Sequence, residues 1–463
     1  MGAPIIRILP KDFCERLERG WHKRGMNIVH ALSTGEPVVS IRLNPKKWGI
    51  GLPIPTEWLS EPIPWSEGGY YLPDRPTFTL DPLMHAGVYY VQDASSQILD
   101  AVLKQLGPFQ LGLDLCSAPG GKSQILARHI SKGGHLMCNE INRIRVSVLE
   151  ETLAKWGDPR LSIWNWDASG FGRSDFRFDL ILVDAPCSGE GLFRREETAI
   201  ARWSPGLTDS CARLQQSILN DILPGLAPGG VLIYSTCTLA EQENEQVWRY
   251  LLDHGLEAVP LNLPTDWGWT DSSCLYTDIP EGVAFRMLPD QGRGEPFFLC
   301  CFRKGNADSI TEIDNMEIER SNTLKLEQIT TDFIRIPEDV RLVKIKKQNW
   351  IVSESVLNQY IPRTWKKCLK PGIRIGGLHP SDPTVHFHES ALLSECHWDE
   401  VPSIELSKRE ALWFLSGREF DPGRMPDGYF LVRFKGMPIG WSKRRGRSLA
   451  RSYPAAWRIR MRT

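Results

Sequence analysis

The chain has 463 residues and a mass of 52.5 kDa, room for two to four domains at roughly 100–200 residues each. Lys and Arg number 55 against 56 Asp and Glu, a net charge of −1, which excludes a chain-wide basic coat and confines any nucleic-acid grip to a local patch. An apolar fraction of 41% and a charged fraction of 24% exclude wholesale disorder.

Residues 1 to about 83 read as a small segment of helical and extended pieces, with Pro and Gly dense from Asn44 to Pro82. The opening Met1–Pro10 has no charged region followed by an apolar one, so no signal peptide is expected. Ile6 stands where myristoylation needs Ser or Thr. No apolar run approaches the ~18–20 residues of a membrane helix. The 11 Cys lack a metal-type CxxC pairing, and free thiols in a cytoplasmic protein are expected.

From Met84 to about Lys304, strand-like apolar runs alternate with amphipathic stretches. Leu111–Cys116 is a strand, followed by a Gly turn and a helix over Lys122–Ile130. His135–Asn139 is a second strand. Arg143–Trp156 is a helix with Ile144, Val148, Leu149 and Leu153 on one face. Phe178–Val183 (FDLILV) is a mostly apolar run, as expected for a strand buried on both faces. A helix around Leu214–Ile222 ends at the Pro/Gly-rich stretch before the strand Val231–Ser235. This order predicts an α/β fold with a parallel, doubly wound, Rossmann-like sheet. Residues 305–331 are polar, with six acids (Asp308, Glu312, Asp314, Glu317, Glu319, Glu327) against Arg320 and Lys325, and read as a linker or an exposed helix. A C-terminal region, 332–463, has short strand patterns, mixed α+β or β-rich.

The turn Cys116-Ser117-Ala118-Pro119-Gly120-Gly121-Lys122-Ser123 follows a buried strand and opens a helix. Its glycines let a ligand approach the backbone, and the helix start offers free N–H groups. A phosphate-binding P-loop is excluded, because Cys116 occupies the position of its first Gly. Glu140 closes the next strand, 20 residues after Gly120, where an acid accepts hydrogen bonds from ribose hydroxyls. Asp167 follows the third strand, where an adenine edge can lie. Together they suggest an adenosine-containing ligand; alternatively both acids cap the helices that follow.

Asp184-Ala185-Pro186-Cys187-Ser188-Gly189 and Ser235-Thr236-Cys237-Thr238 follow two buried strands, their cysteines 50 residues apart. Carboxyl ends of strands form the ligand-binding rim of a doubly wound sheet. Cys14, Cys138, Cys211, Cys274, Cys300, Cys301, Cys368 and Cys396 read instead as small buried apolar residues. No metal is expected, since no further Cys or His stands at ligand spacing around Cys187 or Cys237.

The combination resembles the Sun/Fmu family of RNA cytosine-5 methyltransferases. It is carried by YYVQDASSQ (Tyr89–Gln97), LDLCSAPGGK (Leu113–Lys122), Asn139-Glu140, DAPCSGEG (Asp184–Gly191) and YSTCTLAEQENE (Tyr234–Glu245), all in the family's order. Ser40–Asn44 adds a short N-terminal match. Gly436–Arg460 looks like the RNA-binding, PUA-like module of the branch that methylates small-subunit ribosomal RNA. The chain departs from the family at Pro289-Asp290, where a Pro-His step is common. It departs again at Gly294-Glu295-Pro296-Phe297-Phe298, where Gly is common in place of Pro296.

The resemblance implies an RNA-binding N-terminal segment (1–83), a methyltransferase domain (84–304) and a C-terminal RNA-binding region (332–463). It implies S-adenosylmethionine as cofactor, held by Cys116, Ser117, Ala118, Pro119, Gly120, Gly121, Lys122, Glu140, Asp167 and Asp184. Cys237 would be the nucleophile toward cytosine C6, and Cys187 would help remove the C5 proton or release product. Asp184 would bond the cytosine edge, and Lys122 would orient that carboxylate or the base. Addition of a thiolate at C6 suits this reaction, because C5 is otherwise a poor nucleophile toward a methyl group.

From Leu431 to Thr463 the chain carries ten basic residues and no acidic ones, interleaved with Trp441, Tyr453 and Trp457. Lys443, Arg444, Arg445, Arg447, Arg451 and Trp441 are the expected RNA contacts, by phosphate pairing and base stacking. The expected protein is a monomer acting on RNA, with 16S ribosomal RNA favoured over transfer RNA. A non-catalytic ribosome-assembly protein is the alternative of a different class.

Overall fold

The computed structural model describes residues 6–48, 61–305, 327–328, 334–345, 348–355, 366–375, 388–392, 397–398, 401–450 and 452–461. It opens with α1 (Lys11–Thr34), β1 (Ser40–Leu43), β2 (Glu61–Pro62), β3 (Gly69–Tyr71), α2 (Pro82–His85) and β4 (Tyr89–Val91). These four strands form an antiparallel sheet in the order β2-β3-β1-β4. The expected boundary at residue 83 therefore falls inside α2, with β4 beyond it completing the first sheet.

Next come α3 (Leu99–Leu106), β5 (Phe109–Asp114), α4 (Gly121–Arg128), β6 (Ile130–Asn139), α5 (Arg143–Trp156), β7 (Leu161–Trp164) and α6 (Ala168–Gly172). They are followed by β8 (Phe178–Asp184), α7 (Glu197–Arg202), α8 (Pro205–Ile222), β9 (Leu226–Thr236) and α9 (Glu245–Asp253). β10 (Leu256–Ala258), β11 (Trp269–Asp271), β12 (Ala284–Met287) and β13 (Phe297–Lys304) complete this part. The large sheet runs β11-β12-β13-β9-β8-β5-β6-β7, parallel from β9 to β7, with β13 antiparallel beside β9. The Rossmann-like core expected from the alternating pattern is present. Alternation within β8 explains why Leu180–Val183 is apolar throughout: Leu180 and Leu182 pack into the core on one face, Ile181 and Val183 into that on the other.

β6 and β7 extend the sheet to one side of β5, and the chain then returns to place β8 and β9 on the other. The crevice beyond β5 and β8 is thus the topological switch point, where such sheets bind ligands. Helix α5 keeps its expected bounds. Asn142 caps it by accepting from the Ile144 N–H at 2.9 Å, and Gly157 ends it with φ +80°. Its buried stripe, however, is Val146, Leu149, Leu153 and Trp156. Ile144 and Val148 point outward, 81% and 48% exposed, because they lie off the line that meets the sheet.

The C-terminal region is joined to the rest of the chain. Cys368–Lys370 pairs antiparallel with β7, and His135 of β6 bonds the Ser353 hydroxyl at 2.8 Å. Ser403–Glu405, Gly428–Phe434, Met437–Arg445 and Ser448–Leu449 form a separate four-stranded sheet. Its core (Phe414, Val432, Ile439, Tyr453) merges with Ile41, Leu43, Val88 and Tyr89 of the N-terminal part. Of the expected linker, residues 306–326 and 329–331 lie outside the described residues, whereas Glu327–Gln328 pairs with Val343–Lys344. No described helix is long and apolar enough to cross a membrane.

Candidate active site

The Cys116–Lys122 turn leaves β5 at the switch point. The Ser117 N–H donates to the Asn139 carbonyl at 2.8 Å and its hydroxyl to the Asp114 carbonyl at 2.7 Å, which pins the turn between β5 and β6. The Gly120 N–H donates to the Ser117 carbonyl at 2.7 Å; Gly120 has φ +110°, the left-handed region that favours Gly. Tyr90 of β4 crosses over Gly121, whose missing Cβ would come within 2.7 Å of the ring. Arg42 of β1 reaches across to Gln92 and Gln124, each at 3.0 Å, and so ties the N-terminal sheet to α4. A cleft of about 160 Å³ results, lined by Tyr90, Asp93, Cys116, Ser117, Lys122 and Asp184 among others. A larger cavity of about 320 Å³, lined by Met84, Tyr89, Val148 and Trp156 among others, contains none of the predicted site residues.

Glu140 is buried. Its Oε1 accepts from the Asn142 N–H at 2.8 Å, and Oε2 lies 3.1 Å from Arg145 Nη1 without a hydrogen-bond partner among the described residues. Arg145 also donates through Nη2 to the Ala118 carbonyl, joining Glu140 to the turn. Asp167 is exposed and N-caps α6, accepting from the Gly170 N–H at 2.8 Å, so the capping alternative describes its contacts here. Sequence reading passed over Asp114, the acid that precedes the turn. It is fully buried, accepts from the Ser123 hydroxyl at 2.6 Å, and has no hydrogen-bond partner for Oδ1 among the described residues. Burial, reinforced by Asp184, pushes its carboxyl up to about 7. An acid at the end of an otherwise apolar strand was its available signal. Two buried, under-bonded carboxylate oxygens beside a glycine turn fit a ligand that donates hydrogen bonds, as a ribose and an amine do.

Lys122 Nζ donates to Asp184 Oδ2 at 2.8 Å, and the Ser235 hydroxyl donates to Asp184 Oδ1 at 2.8 Å. Burial pulls the Lys122 pKa down, but Asp184 overcomes it and leaves the ammonium held above its ordinary value; Cys237 adds to that hold. Its Nζ also lies 5.2 Å from the centre of the Phe297 ring. Because β8 and β9 are paired with Asp184 opposite Ser235, the loops that follow them are neighbours. The Cys187 and Cys237 sulfurs are 3.3 Å apart, as free thiols. The hydrogen bond to Cys237 and burial push the Cys187 thiol up, and either sulfur can be the donor between the two. Lys122, Asp184, Cys187 and Cys237 are therefore brought together around one crevice.

The family departures are accommodated at its edge. Asp290 pairs with Arg24 of α1 at 3.3 Å. Glu295 pairs with Arg194 at 2.8 Å and Arg195 at 3.0 Å. Pro296 packs its carbonyl against Gly191, within 2.8 Å of where a Cβ would stand. Of the cysteines read as buried and apolar, Cys138, Cys300, Cys301 and Cys368 are so, Cys14 and Cys211 are half-buried, and Cys274 is exposed. Cys396 lies outside the described residues. No group of three or more potential metal ligands occurs among the described residues.

The expected C-terminal RNA contacts need correction. Trp441 is fully buried in the small core it shares with Leu431 and Ala391, so it has no face for a base. Arg444 is buried and bonds the Gly446 carbonyl at 2.8 Å and the Gly423 carbonyl at 2.5 Å, which makes it a structural clamp. The mixed apolar and basic pattern of this strand concealed which face each residue takes. Lys443 lies half-buried against the Tyr429 ring, Arg445 and Arg447 are exposed, and Arg451 lies outside the described residues.

The sheet order and the paired strand-end loops define a Rossmann-like methyltransferase. Residues 102–303 match the family described as 16S rRNA methyltransferase RsmB/F. Residues 9–94 match the N-terminal domain of 16S rRNA methyltransferase RsmF, and 401–459 the methyltransferase RsmF PUA domain. A protein of Escherichia coli O127:H6, named ribosomal RNA small subunit methyltransferase F, is 30% identical over 436 residues, 90% of this chain and 89% of its own length. One of the same name from Erwinia tasmaniensis is 28% identical over 435 residues, with the same coverage. The chain belongs to the ribosomal RNA small subunit methyltransferase F family. Among solved structures, a methyltransferase homolog protein from Pyrococcus horikoshii is 28% identical with a TM-score of 0.54, over 64% of this chain and 95% of its own. NSun6 from Pyrococcus horikoshii, solved with SFG, an S-adenosylmethionine analogue, shares the fold at 19% identity and a TM-score of 0.52, over 64% of this chain and 98% of its own.

Proposed function

We propose that this enzyme methylates C5 of a cytosine in RNA, with 16S ribosomal RNA as substrate, through a covalent bond from Cys237 to C6. The observation that carries the reading is the pair of free thiols 3.3 Å apart beside the Lys122–Asp184 pair. One thiol suffices for most covalent catalysis; two, on the ends of adjacent strands, suit a reaction that must both add a sulfur and remove it. The relatives' names, ribosomal RNA small subunit methyltransferase F, support the ribosomal substrate.

S-adenosylmethionine, when bound, supplies the electrophilic methyl group. The residues that would hold it are the Cys116–Lys122 turn and Asp114, with Glu140 accepting from the ribose and Asp167 near the adenine. Asp184, fixed by Lys122 and Ser235, bonds the cytosine edge and holds the base in register with Cys237. Cys187 lies against the attacking sulfur and, once its own proton has passed to solvent, takes the C5 proton as a thiolate while Cys237 departs. Reaching C6 requires a base out of its stack, hence an unpaired or flipped cytosine. The N-terminal sheet and the module at 401–459 form the outlying RNA grip, with Lys435, Arg445 and Arg447 as exposed cations of the latter.

The test is methyl transfer from labelled S-adenosylmethionine to 16S ribosomal RNA, to assembled small subunits and to transfer RNA, followed by nuclease digestion. Label in 5-methylcytidine from the ribosomal substrates is expected. Label in another nucleoside, or in transfer RNA alone, would overturn the assignment.

A further inference from the structure

Glu243 stands outside the cofactor cleft and the four residues given roles above, yet both cysteine loops converge on it. Its Oε2 accepts from the Ser188 N–H and from Gln215 Nε2, each at 2.9 Å. Its Oε1 accepts from the Ser188 hydroxyl and, at 3.3 Å, from the Thr238 hydroxyl. Ser188 and Thr238 directly follow Cys187 and Cys237, and their hydroxyls are 2.8 Å apart. Gln215 also donates to the carbonyl of Pro186, just before Cys187, at 2.9 Å. All four side chains are buried, so water does not compete for these bonds. The neighbouring acids are engaged elsewhere: Glu241 with Arg249 at 3.2 Å and Glu245 with Arg286.

The geometry points to Glu243 as a positioning residue for the product-release half of the reaction: it holds the Cys187 thiol against the Cys237 sulfur and places a negative charge beside it. This rests on the two-thiol reading. In that half-reaction the C5 proton passes to the Cys187 thiolate, the C5–H electron pair becomes the C5=C6 bond, and the C6–S pair returns to Cys237 as a thiolate. A wrong Cys187 position or ionisation stalls this step and leaves RNA bonded to the enzyme. The titratable groups facing Glu243 are Cys187 and Glu190 from the loop after β8, Cys211 from α8 and Tyr234 from β9. Glu190 is itself paired with Arg16 at 2.7 Å. Burial, with Glu190 adding to it, holds the Glu243 carboxyl up to about 7, and Glu243 in turn helps hold the Cys187 thiol high.

Single-turnover reactions of the full chain on a 16S ribosomal RNA transcript, followed across pH, separate adduct formation from release. Glu243→Ala should form the adduct at near the wild-type rate and release product roughly tenfold or more slowly, as expected for a displaced catalytic group. Glu243→Gln keeps the shape and an oxygen for the Ser188 N–H while removing the charge. It should restore release and move its rising limb to lower pH by about half a unit or more, because a carboxylate no longer opposes the thiolate. Gln215→Leu, which touches the loop without altering charge, should slow release with no shift in pH. Wild-type release by Glu243→Ala, or a Glu243→Gln profile that superimposes on the wild type, would overturn the proposal. Cys237→Ala and Cys187→Ala run alongside: 5-methylcytosine made by Cys237→Ala would instead overturn the two-thiol reading itself.

Discussion

Lys122→Met removes the ammonium that lies 2.8 Å from Asp184 and leaves the carboxylate to Ser235. At that distance and an effective dielectric constant of about 20, the gross attraction is roughly 6 kcal/mol. The side chains are 20% and 27% exposed, so water recovers part of it when the pair is lost. Exposed pairs contribute about 0–1 kcal/mol, and breaking a buried one costs about 3–5 kcal/mol. An intermediate loss of about 2 kcal/mol corresponds to roughly a 30-fold fall in rate. The assay is steady-state methyl transfer to 16S ribosomal RNA. The loss should fall on kcat, with KM for RNA changed by no more than about threefold, because a contact made at the reacting base acts on the transition state. Lys122→Arg, which keeps the charge at a different reach, should lie between the two. A Lys122→Met enzyme that keeps most of its kcat, or loses only KM, would refute this use of the pair.

Three further outcomes follow from buried charges and from the C-terminal surface. Asp114 ionises near 3.8 when exposed and near about 7 when folded, so its contribution to stability falls as pH rises through that window. In urea melts, Asp114→Asn should therefore gain on the wild type by roughly 2–3 kcal/mol between pH 5 and pH 8, at about 1.4 kcal/mol per unit; an equal gap at both pH values would contradict it. Arg286→Met strands the buried Glu245 carboxylate and should cost about 3–5 kcal/mol of stability, with much of that regained in Arg286→Met/Glu245→Leu by the same denaturation assay. Arg445→Ala/Arg447→Ala should lower the salt slope of RNA binding by about 1.5 without changing the melting temperature, whereas Arg444→Met should lower the melting temperature.

The fold was legible where one physical rule governed many residues. An apolar run such as Phe178–Val183 has to be covered on both faces, and alternation with helices leaves a parallel sheet as the outcome. Sites at strand ends were legible because each motif directly follows a strand, and the carboxyl ends of a doubly wound sheet share one rim whatever the order of its strands. Residues set by three-dimensional convergence were not legible. Glu241, Glu243 and Glu245 are spaced alike in the sequence, yet each has a different partner, and only the fold turns Glu243 toward Cys187. The same limit explains Trp441 and Arg444: a strand pattern was visible, but Trp441 is covered by Leu431 and Ala391 in a core apart from the one shared with α2, β1 and β4, and Arg444 is held by the Gly423 and Gly446 carbonyls. Ile144 and Val148 failed for a related reason, since apolar residues on a helix need not all lie on the line that meets the sheet. The near-neutral total charge likewise averages an acidic stretch and a basic tail, and carries no information about either surface.

The central claim is that Cys237 bonds to the base and Cys187 frees it. Denaturing gel electrophoresis of enzyme with labelled 16S ribosomal RNA and S-adenosylmethionine tests it directly. Cys187→Ala should accumulate a covalent protein–RNA band, and Cys237→Ala should give neither band nor methyl transfer. Methylation by Cys237→Ala, or a band that persists in it, would contradict the account.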